Sequence, residues 1–215
     1  FLCFKVTEYS QTTLWEKVLI ISYFSPPCNL TAAQRIKGWA DSLHEYGYYP
    51  VIITRNWDEK INNPADVLKP VGDEIIHKRT NKFETYYLPY KAGFRDRFYV
   101  KHQGSWLQKF SRIFTLYHLI CENFFLKAIP HHNMYRFARK YLKKHPEIKK
   151  IIVSAQPFDQ FHFAYRLKKE FDIEWIADYR DDWNTSEVDE TRFQIGRLIR
   201  KLQIRSEKKW VGSAY

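Results

Sequence analysis

Residues 149–183 read KKIIVSAQPFDQFHFAYRLKKEFDIEWIADYRDDW, and this stretch decides the fold. Its first part, 151–153, is a short apolar, β-branched run that the sequence SAQP ends, which is typical of a buried strand. From Phe158 the apolar residues recur at helical spacing, and 174–177 supply a second strand. A strand, helix and strand in this order predict a right-handed crossover between parallel neighbours.

A second unit of the same kind spans 17–54. The apolar run KVLIISY at 17–23 predicts a buried parallel strand, because such strands are covered on both faces and lack polar alternation. A helix is predicted over about 32–46, ended by Gly47, and YPVIIT at 49–54 predicts the next strand. Together the two units predict an α/β domain with a mainly parallel sheet.

The remaining segments carry weaker patterns. Residues 1–15 lack a clear period, and we expect them to form an extension of the single domain 1–215. Residues 73–79 and 84–88 fit two short strands around a hairpin-like excursion, and equally well an irregular insertion. A long helix is predicted over 190–214.

Residues 91–149 form a basic region with 13 Lys and Arg against 3 Asp and Glu. One aromatic-rich helix is predicted over 105–127 and another over 133–144, separated by Pro130. Such a cationic pair can dock on an anionic bilayer surface. The alternative is that the aromatic side chains belong to the core and the lysines to a solvated face.

The composition sets wider limits. The apolar fraction of 45% is enough for a sizeable core, and the net charge of +11 suggests an anionic partner or simply a basic surface. Three cysteines without metal-ligand spacing favour a reducing compartment. No apolar run reaches the roughly 20 residues of a membrane-spanning helix.

The chemistry is expected at the edge formed by the carboxyl ends of the parallel strands. The pair Gln156-Pro157 follows one strand there, and the crowded charges of 178–183 follow the next. A carboxylate at that strand end can orient or deprotonate a hydroxyl, although Asp178 and Asp181 can also simply pair with Arg180.

The first strand ends in the loop FSPPCNL at 24–30, which contributes to the same edge. Arg35, one turn into the following helix, can bind an anion near the helix N-terminus or form a surface salt bridge. His162 fits a packed histidine better than a catalytic one.

Several common active-site motifs are absent from the sequence. There is no G-x-G-x-x-G dinucleotide fingerprint, no phosphate-binding P-loop, no G-x-S-x-G elbow and no H-E-x-x-H zinc helix. These absences remove most common α/β enzymes.

Two runs resemble family 4 retaining glycosyltransferases of the GT-B fold. The run at 17–54 is similar to that family's opening, with an F/Y-x-P-P loop, a helix start carrying arginine, and L…G…V-x-V-x-T. The run at 154–183 is similar to its S-x-P-P…H…A…L…P-W-I-x-D-x-R-D-x-W pattern. The first loop departs from the family, because Cys28-Asn29-Leu30 stands where relatives usually carry glycine.

The resemblance implies the acceptor-binding, N-terminal half of a GT-B enzyme, a Rossmann-like three-layer domain. The C-terminal donor-binding domain, with its E-x7-E glutamate pair, is expected to be absent, leaving this chain inactive alone. The implied reaction moves a sugar from a nucleotide-sugar to a sugar or lipid-linked acceptor with retention, without a cofactor or metal. The implied setting is bacterial surface polysaccharide synthesis in the cytoplasm, peripheral to the inner face of the membrane.

The site residues follow from the same resemblance. Arg180 and Asp181 are the implied catalytic pair facing the reacting sugar. The implied substrate-binding residues come from the first-strand loop and helix, the second acceptor-side loop and the acidic strand end: Pro27, Cys28, Asn29, Arg35, Gln156, Pro157, His162, Asp178 and Trp183.

Two other functions remain open. A basic, aromatic-rich nucleic-acid-binding protein would bind any polyanion with steep salt dependence, but no recognised nucleic-acid motif is present and no specific nucleic acid is expected as a partner. A non-catalytic α/β interaction domain would retain the fold and explain the replaced loop glycine.

Overall fold

A computed structural model describes most of the chain. The described residues are 15–62, 66–102, 104–107, 113–114, 117, 120–121, 125–179 and 194–215. The predicted extension therefore lies outside them except for residue 15, as do the predicted site residues Arg180, Asp181 and Trp183.

Six strands form one sheet in the order β3-β4-β2-β1-β5-β6. All neighbouring strands are parallel except β3 and β4, which are antiparallel. The strands are β1 (Glu16–Ser22), β2 (Tyr48–Arg55), β3 (Ile76–Arg79), β4 (Glu84–Leu88), β5 (Lys150–Ala155) and β6 (Glu174–Tyr179). The predicted α/β class with a mainly parallel sheet is confirmed.

Helices cover both faces of the sheet and make it the middle of three layers. They are α1 (Thr31–Ser42), α2 (Phe94–Lys101), α3 (His132–Lys144), α4 (Gln160–Phe171) and α5 (Gln194–Val211). Ile36 of α1 packs with Ile20 and Ile52 on one face of the sheet. On the other face, side chains of α3, α4 and α5 join the larger core, among them Met134, Phe161 and Trp210. This is the predicted Rossmann-like three-layer arrangement.

The central strands are buried on both faces, as their continuous apolar runs predict. Leu19, Ile20 and Ile21 are all fully buried although they alternate between the two layers. Each such side chain contributes roughly 1.5–3 kcal/mol relative to an exposed one. The register of the three central strands is therefore fixed by two cores at once.

Several predicted boundaries differ in the structure. The helix predicted over 32–46 ends at residue 42 and continues as a 3₁₀ turn over 43–46, which Gly47 stops at a left-handed φ of 80°. Of the helix predicted over 105–127, residues 113–114, 117 and 120–121 are helical, but 126–128 is a separate 3₁₀ turn. Residues 106–107 are also in a 3₁₀ turn, so the prediction of one α-helix was wrong at both ends.

The segment between β2 and α2 is ordered around a hairpin rather than an irregular insertion. Strands β3 and β4 pair antiparallel, and a turn joins them through the hydrogen bond from Thr80 N to Phe83 O at 2.8 Å. Across the described part of the chain, no helix has both the length and the apolar character needed to cross a membrane.

Candidate functional site

The strand order creates a topological switch point at β1. The chain moves from β1 to β2 on one side and later enters β5 on the other side. In open parallel sheets, ligands bind outside the carboxyl ends of the two strands at such a point. The loops after β1 and β5 diverge here, and both begin with residues that line a cleft.

The cleft has a volume of about 330 Å³. Five of its lining residues are aromatic: Tyr23, Phe24, Tyr90, Phe158 and Trp210. Polar groups stand among them: Arg95, Asp96, His131, Gln156, Asp159, Gln203 and Ser206. A mostly apolar wall with a few convergent polar groups is the usual build of a small-molecule site.

A buried arginine, Arg55, holds one wall of the cleft from behind. Its guanidinium lies over the rings of Trp57 at 4.0 Å and Tyr90 at 3.8 Å. It donates hydrogen bonds to the Tyr23 hydroxyl and to the carbonyls of Val67 and Lys69. Burial lowers the pKa of Arg55, yet an arginine keeps its proton in proteins. The wall residues Tyr23, Tyr90 and Val67 are thus fixed by a single cation.

The same burial keeps the cleft tyrosines protonated. Desolvation raises the pKa of Tyr23 and of Tyr90 above that of a free tyrosine, even though the nearby Arg55 charge opposes the shift in both. Both hydroxyls therefore remain hydrogen-bond donors at neutral pH. They supply polarity to the wall without a charge.

Helix α2 is anchored to the cleft through Asp96. This carboxylate is 7% exposed, accepts from Arg95 Nε at 3.0 Å and lies 3.4 Å from the Tyr90 hydroxyl. The pair places a guanidinium on the cleft wall with its charge largely balanced. A ligand in the cleft would therefore meet the N–H donors of Arg95 in a fixed position, with the positive charge largely compensated by Asp96.

A second polar pair lines the same cleft. His131 Nε2 and Asp159 Oδ1 are 2.7 Å apart, and their side chains are only 6% and 11% exposed. His131 belongs to the turn before α3, and Asp159 directly precedes α4. The pair therefore joins two segments that are 28 residues apart in sequence.

The predicted acidic strand end forms a separate group beside the cleft. Asp178 Oδ1 accepts from Arg35 Nη1 at 2.6 Å, and Asp178 Oδ2 accepts from the Ser154 hydroxyl at 2.7 Å. Arg35 also donates to the carbonyl of Tyr179 at 3.3 Å. Of the two functions considered for Arg35, the structure shows a salt bridge, and its partner is Asp178.

The predicted residues of the first loop are divided between different surroundings. Cys28 is 2% exposed within the core, where desolvation raises the pKa of its thiol. Asn29 Nδ2 donates to the carbonyl of Ile61 at 3.3 Å, and Asn29 Oδ1 accepts from the N–H of Ile61 at 3.1 Å. Pro27 lines a second, more open depression with Trp57. None of these three lines the cleft at the switch point.

The second acceptor-side loop meets the prediction more closely. Gln156 and Pro157 both line the cleft. His162 instead stacks on Trp210 with ring centroids 4.6 Å apart and planes 7° apart, and it is buried. It is the packed histidine that the sequence favoured, and it supports Trp210 from behind.

The sequence did not single out His131, Asp159 or Arg55. Arg55 directly ends an apolar strand, a position where a charged residue faces the functional edge of the sheet. Asp159 follows the chosen pair Gln156-Pro157 by two residues. His131 carried no signal, because only the fold brings the turn before α3 to this edge.

No group of three or more His, Cys, Asp and Glu side chains is placed to hold a metal ion within the described ranges. Comparison of the sequence with protein-family models and with curated proteins finds no match.

Proposed function

We propose that this chain is the acceptor-binding domain of a retaining glycosyltransferase of the GT-B fold, which transfers a sugar from a nucleotide-sugar to an acceptor hydroxyl. The observation that carries this proposal is the cleft at the switch point. It combines five aromatic residues with polar side chains at the carboxyl ends of β1 and β5.

This lining suits a saccharide. A pyranose ring presents C–H groups on its faces and hydroxyl groups around its rim, so it needs aromatic faces and hydrogen-bonding side chains together. The half-buried Phe24 and Phe158 offer the first, and Gln156 and Gln203 offer the second. The volume of about 330 Å³ is in the range of small-ligand sites.

The proposed mechanism depends on positioning and electrostatics. The bond from the donor's anomeric carbon to its phosphate oxygen breaks, and a bond from that carbon to the acceptor oxygen forms on the same face. The acceptor proton passes to the departing phosphate. Asp181 is proposed to orient the acceptor hydroxyl and Arg180 to stabilise developing negative charge.

The roles proposed for these two residues are supported by the strand end that precedes them in sequence. Asp178 is held there by Arg35 and Ser154. This strand end belongs to the same edge of the sheet as the cleft. The nucleotide-sugar donor is assigned to a second domain.

The test is sugar transfer by the full-length gene product from a panel of nucleotide-sugars to lipid-linked and free saccharide acceptors. Loss of a hydroxyl-orienting carboxylate in Asp181→Ala should reduce turnover by about 10²- to 10⁴-fold. The exposed residue Asp41, which forms a salt bridge with Lys37 on the surface of α1, provides the matched control Asp41→Ala. Absence of transfer, together with salt-steep binding to arbitrary nucleic acid, would refute the proposal and favour a polyanion-binding protein.

An anionic membrane surface is proposed as a partner, because a lipid-linked acceptor is presented there. Eight of the exposed large hydrophobic side chains lie within 94–125, including Trp106 at 69% and Phe125 at 67% exposure. Ile113, Tyr117 and Ile120 are spaced as one helical face and are all exposed. Phe114 of the same segment packs on Phe94 and Phe98 of α2 instead.

Charge selects a bilayer over a second copy of the chain. The region 91–149 carries 13 Lys and Arg against 3 Asp and Glu, so two such surfaces repel each other. Each basic residue near an anionic bilayer contributes about 1 kcal/mol to binding.

We expect the protein to float with phosphatidylglycerol vesicles, to lose this binding in high salt, and to bind more weakly as the Tyr117→Ser variant. Equal binding to phosphatidylcholine vesicles would contradict the proposed role of charge.

A further inference from the structure

We propose that His131 binds the acceptor by accepting a hydrogen bond from one of its hydroxyl groups through Nδ1, with Asp159 as the positioning residue; this inference rests on the proposed function. The ligand class is a saccharide or another polyol. Neither residue was a candidate from sequence.

The geometry of the pair fixes the proton on the imidazole. Asp159 Oδ1 lies 2.7 Å from His131 Nε2, and an ionised carboxylate can only accept a hydrogen bond. Nε2 of the neutral ring must therefore carry the proton, which leaves a lone pair on Nδ1. Within the described parts of the chain, no hydrogen-bond partner of Nδ1 is found. The cleft-lining ring thus offers an acceptor of fixed orientation.

Asp159 directly precedes α4 with helical backbone angles, φ −62° and ψ −17°, and its side chain makes no capping hydrogen bond to the helix. The N–H groups of Gln160 and Phe161 bond instead to the carbonyls of Pro157 and Phe158. The carboxylate of Asp159 is therefore not used by the helix, and it faces His131.

Aromatic side chains lie beside the His131 imidazole, which also lines the cleft. The Tyr23 ring lies 5.3 Å away and the Phe163 ring of α4 lies 5.5 Å away, so two sides are aromatic. The carboxylate of Asp159 and the neighbouring His132 also lie close to it. Arg95 and Asp96 line the same cleft and are paired with each other. The Nδ1 atom is therefore left to a ligand.

A hydroxyl is the group that this acceptor fits. The sugar hydroxyl donates one hydrogen bond and keeps two lone pairs, which the Gln156 amide and Arg95 on the same wall can satisfy with N–H donors.

The experiment measures calorimetric binding of methyl and p-nitrophenyl glycosides to the 215-residue chain, with ¹⁵N spectra of the histidine side chains. We expect His131→Ala to weaken binding by about tenfold, since one positioned hydrogen bond is lost. Asp159→Asn should weaken it similarly, because an amide can donate to Nε2 and move the proton to Nδ1. The ¹⁵N spectrum should show that exchange of tautomers.

Two further variants separate binding from structure. His131→Asn keeps an acceptor oxygen near the place of Nδ1, so binding should persist in part. His132→Asn changes the adjacent histidine, which is outside the cleft lining, and should bind as the wild type does. Thermal unfolding of each variant shows whether the fold is retained.

The outcomes separate this inference from the proposed function. Glycoside binding that His131→Ala leaves unchanged, or a neutral ring protonated on Nδ1, overturns the role of His131. Absence of glycoside binding by the wild type also overturns it. The proposed function is decided separately, by sugar transfer with the full-length protein.

Discussion

Replacing Arg55 should destabilise the protein more than replacing any exposed arginine. Its side chain is among the largest fully buried ones, with 1% exposure. It makes three hydrogen bonds, to Tyr23, Val67 and Lys69, and two close ring contacts. No carboxylate among the described residues forms a salt bridge with it. The buried guanidinium of Arg55 is therefore stabilised by neutral hydrogen-bond acceptors and by aromatic rings.

The magnitude follows from what Arg55→Ala leaves behind. Three acceptors lose a charged donor, and an unpaired buried acceptor costs about 1–3 kcal/mol. Lost ring contacts add about 0.5–2 kcal/mol, while removal of a buried charge offsets a large part of the total. We expect a net loss of about 3–5 kcal/mol, which is the size found when one partner of a buried polar network is removed.

Urea unfolding followed by tryptophan fluorescence measures this loss, and Trp57 beside the guanidinium reports on the clamp itself. In a domain of this size, each 1 kcal/mol lowers Tm by about 2–4 °C, so a fall of about 6–20 °C is expected. Arg55→Lys should lose about half as much, since an ammonium cannot span three acceptors in one plane.

The control is Arg97→Ala on the exposed side of α2, which should change stability by less than about 0.5 kcal/mol. A loss below about 1 kcal/mol for Arg55→Ala, or an Arg55→Met protein more stable than the wild type, would refute the reasoning. Either result would mean that the free-energy cost of burying the guanidinium exceeds the stabilisation by its hydrogen bonds.

Three other predictions concern separate parts of the fold. Asp178→Ala should cost about 1–2 kcal/mol in urea unfolding, and a double-mutant cycle with Arg35→Ala should show coupling; additive losses would contradict the salt bridge. The hydrogen bond from Arg139 at 2.6 Å lowers the pKa of Glu170, so its contribution is present above the unfolded value of about 4.3 and is lost as the pH falls through the lower folded value. The stability difference between wild type and Glu170→Gln, under about 1 kcal/mol for a partly exposed pair, should thus shrink as the pH falls below about 4.3; a difference that grows in acid would contradict the shift. Cys28, buried and with a raised thiol pKa, should react with a disulfide reagent only after unfolding, as mass spectrometry of the modified peptide can show. Rapid labelling of Cys28 in the folded protein would contradict its burial.

The sequence by itself determined the layers of the protein. Buried parallel strands need apolar residues on both faces, and β1, β2 and β5 therefore stand out as continuous runs. The helices between them show apolar residues at helical spacing because one side faces the sheet. Both signals are local, so a single segment is sufficient to detect them. The position of Gln156 and Pro157 at the functional edge followed from the same rule.

Only the tertiary structure decided which polar groups meet. Arg35 and Asp178 are 143 residues apart, and their contact depends on α1 beginning and β6 ending at the same edge of the sheet. The pairing of His131 with Asp159, and the enclosure of Arg55 by Trp57 and Tyr90, likewise join separate segments. A polar side chain of this kind has no periodic pattern, because one hydrogen-bond partner is enough to satisfy it. Burial repeats along a strand or helix and can be read from the chain, whereas a hydrogen bond is a single event that exists only after the backbone has folded.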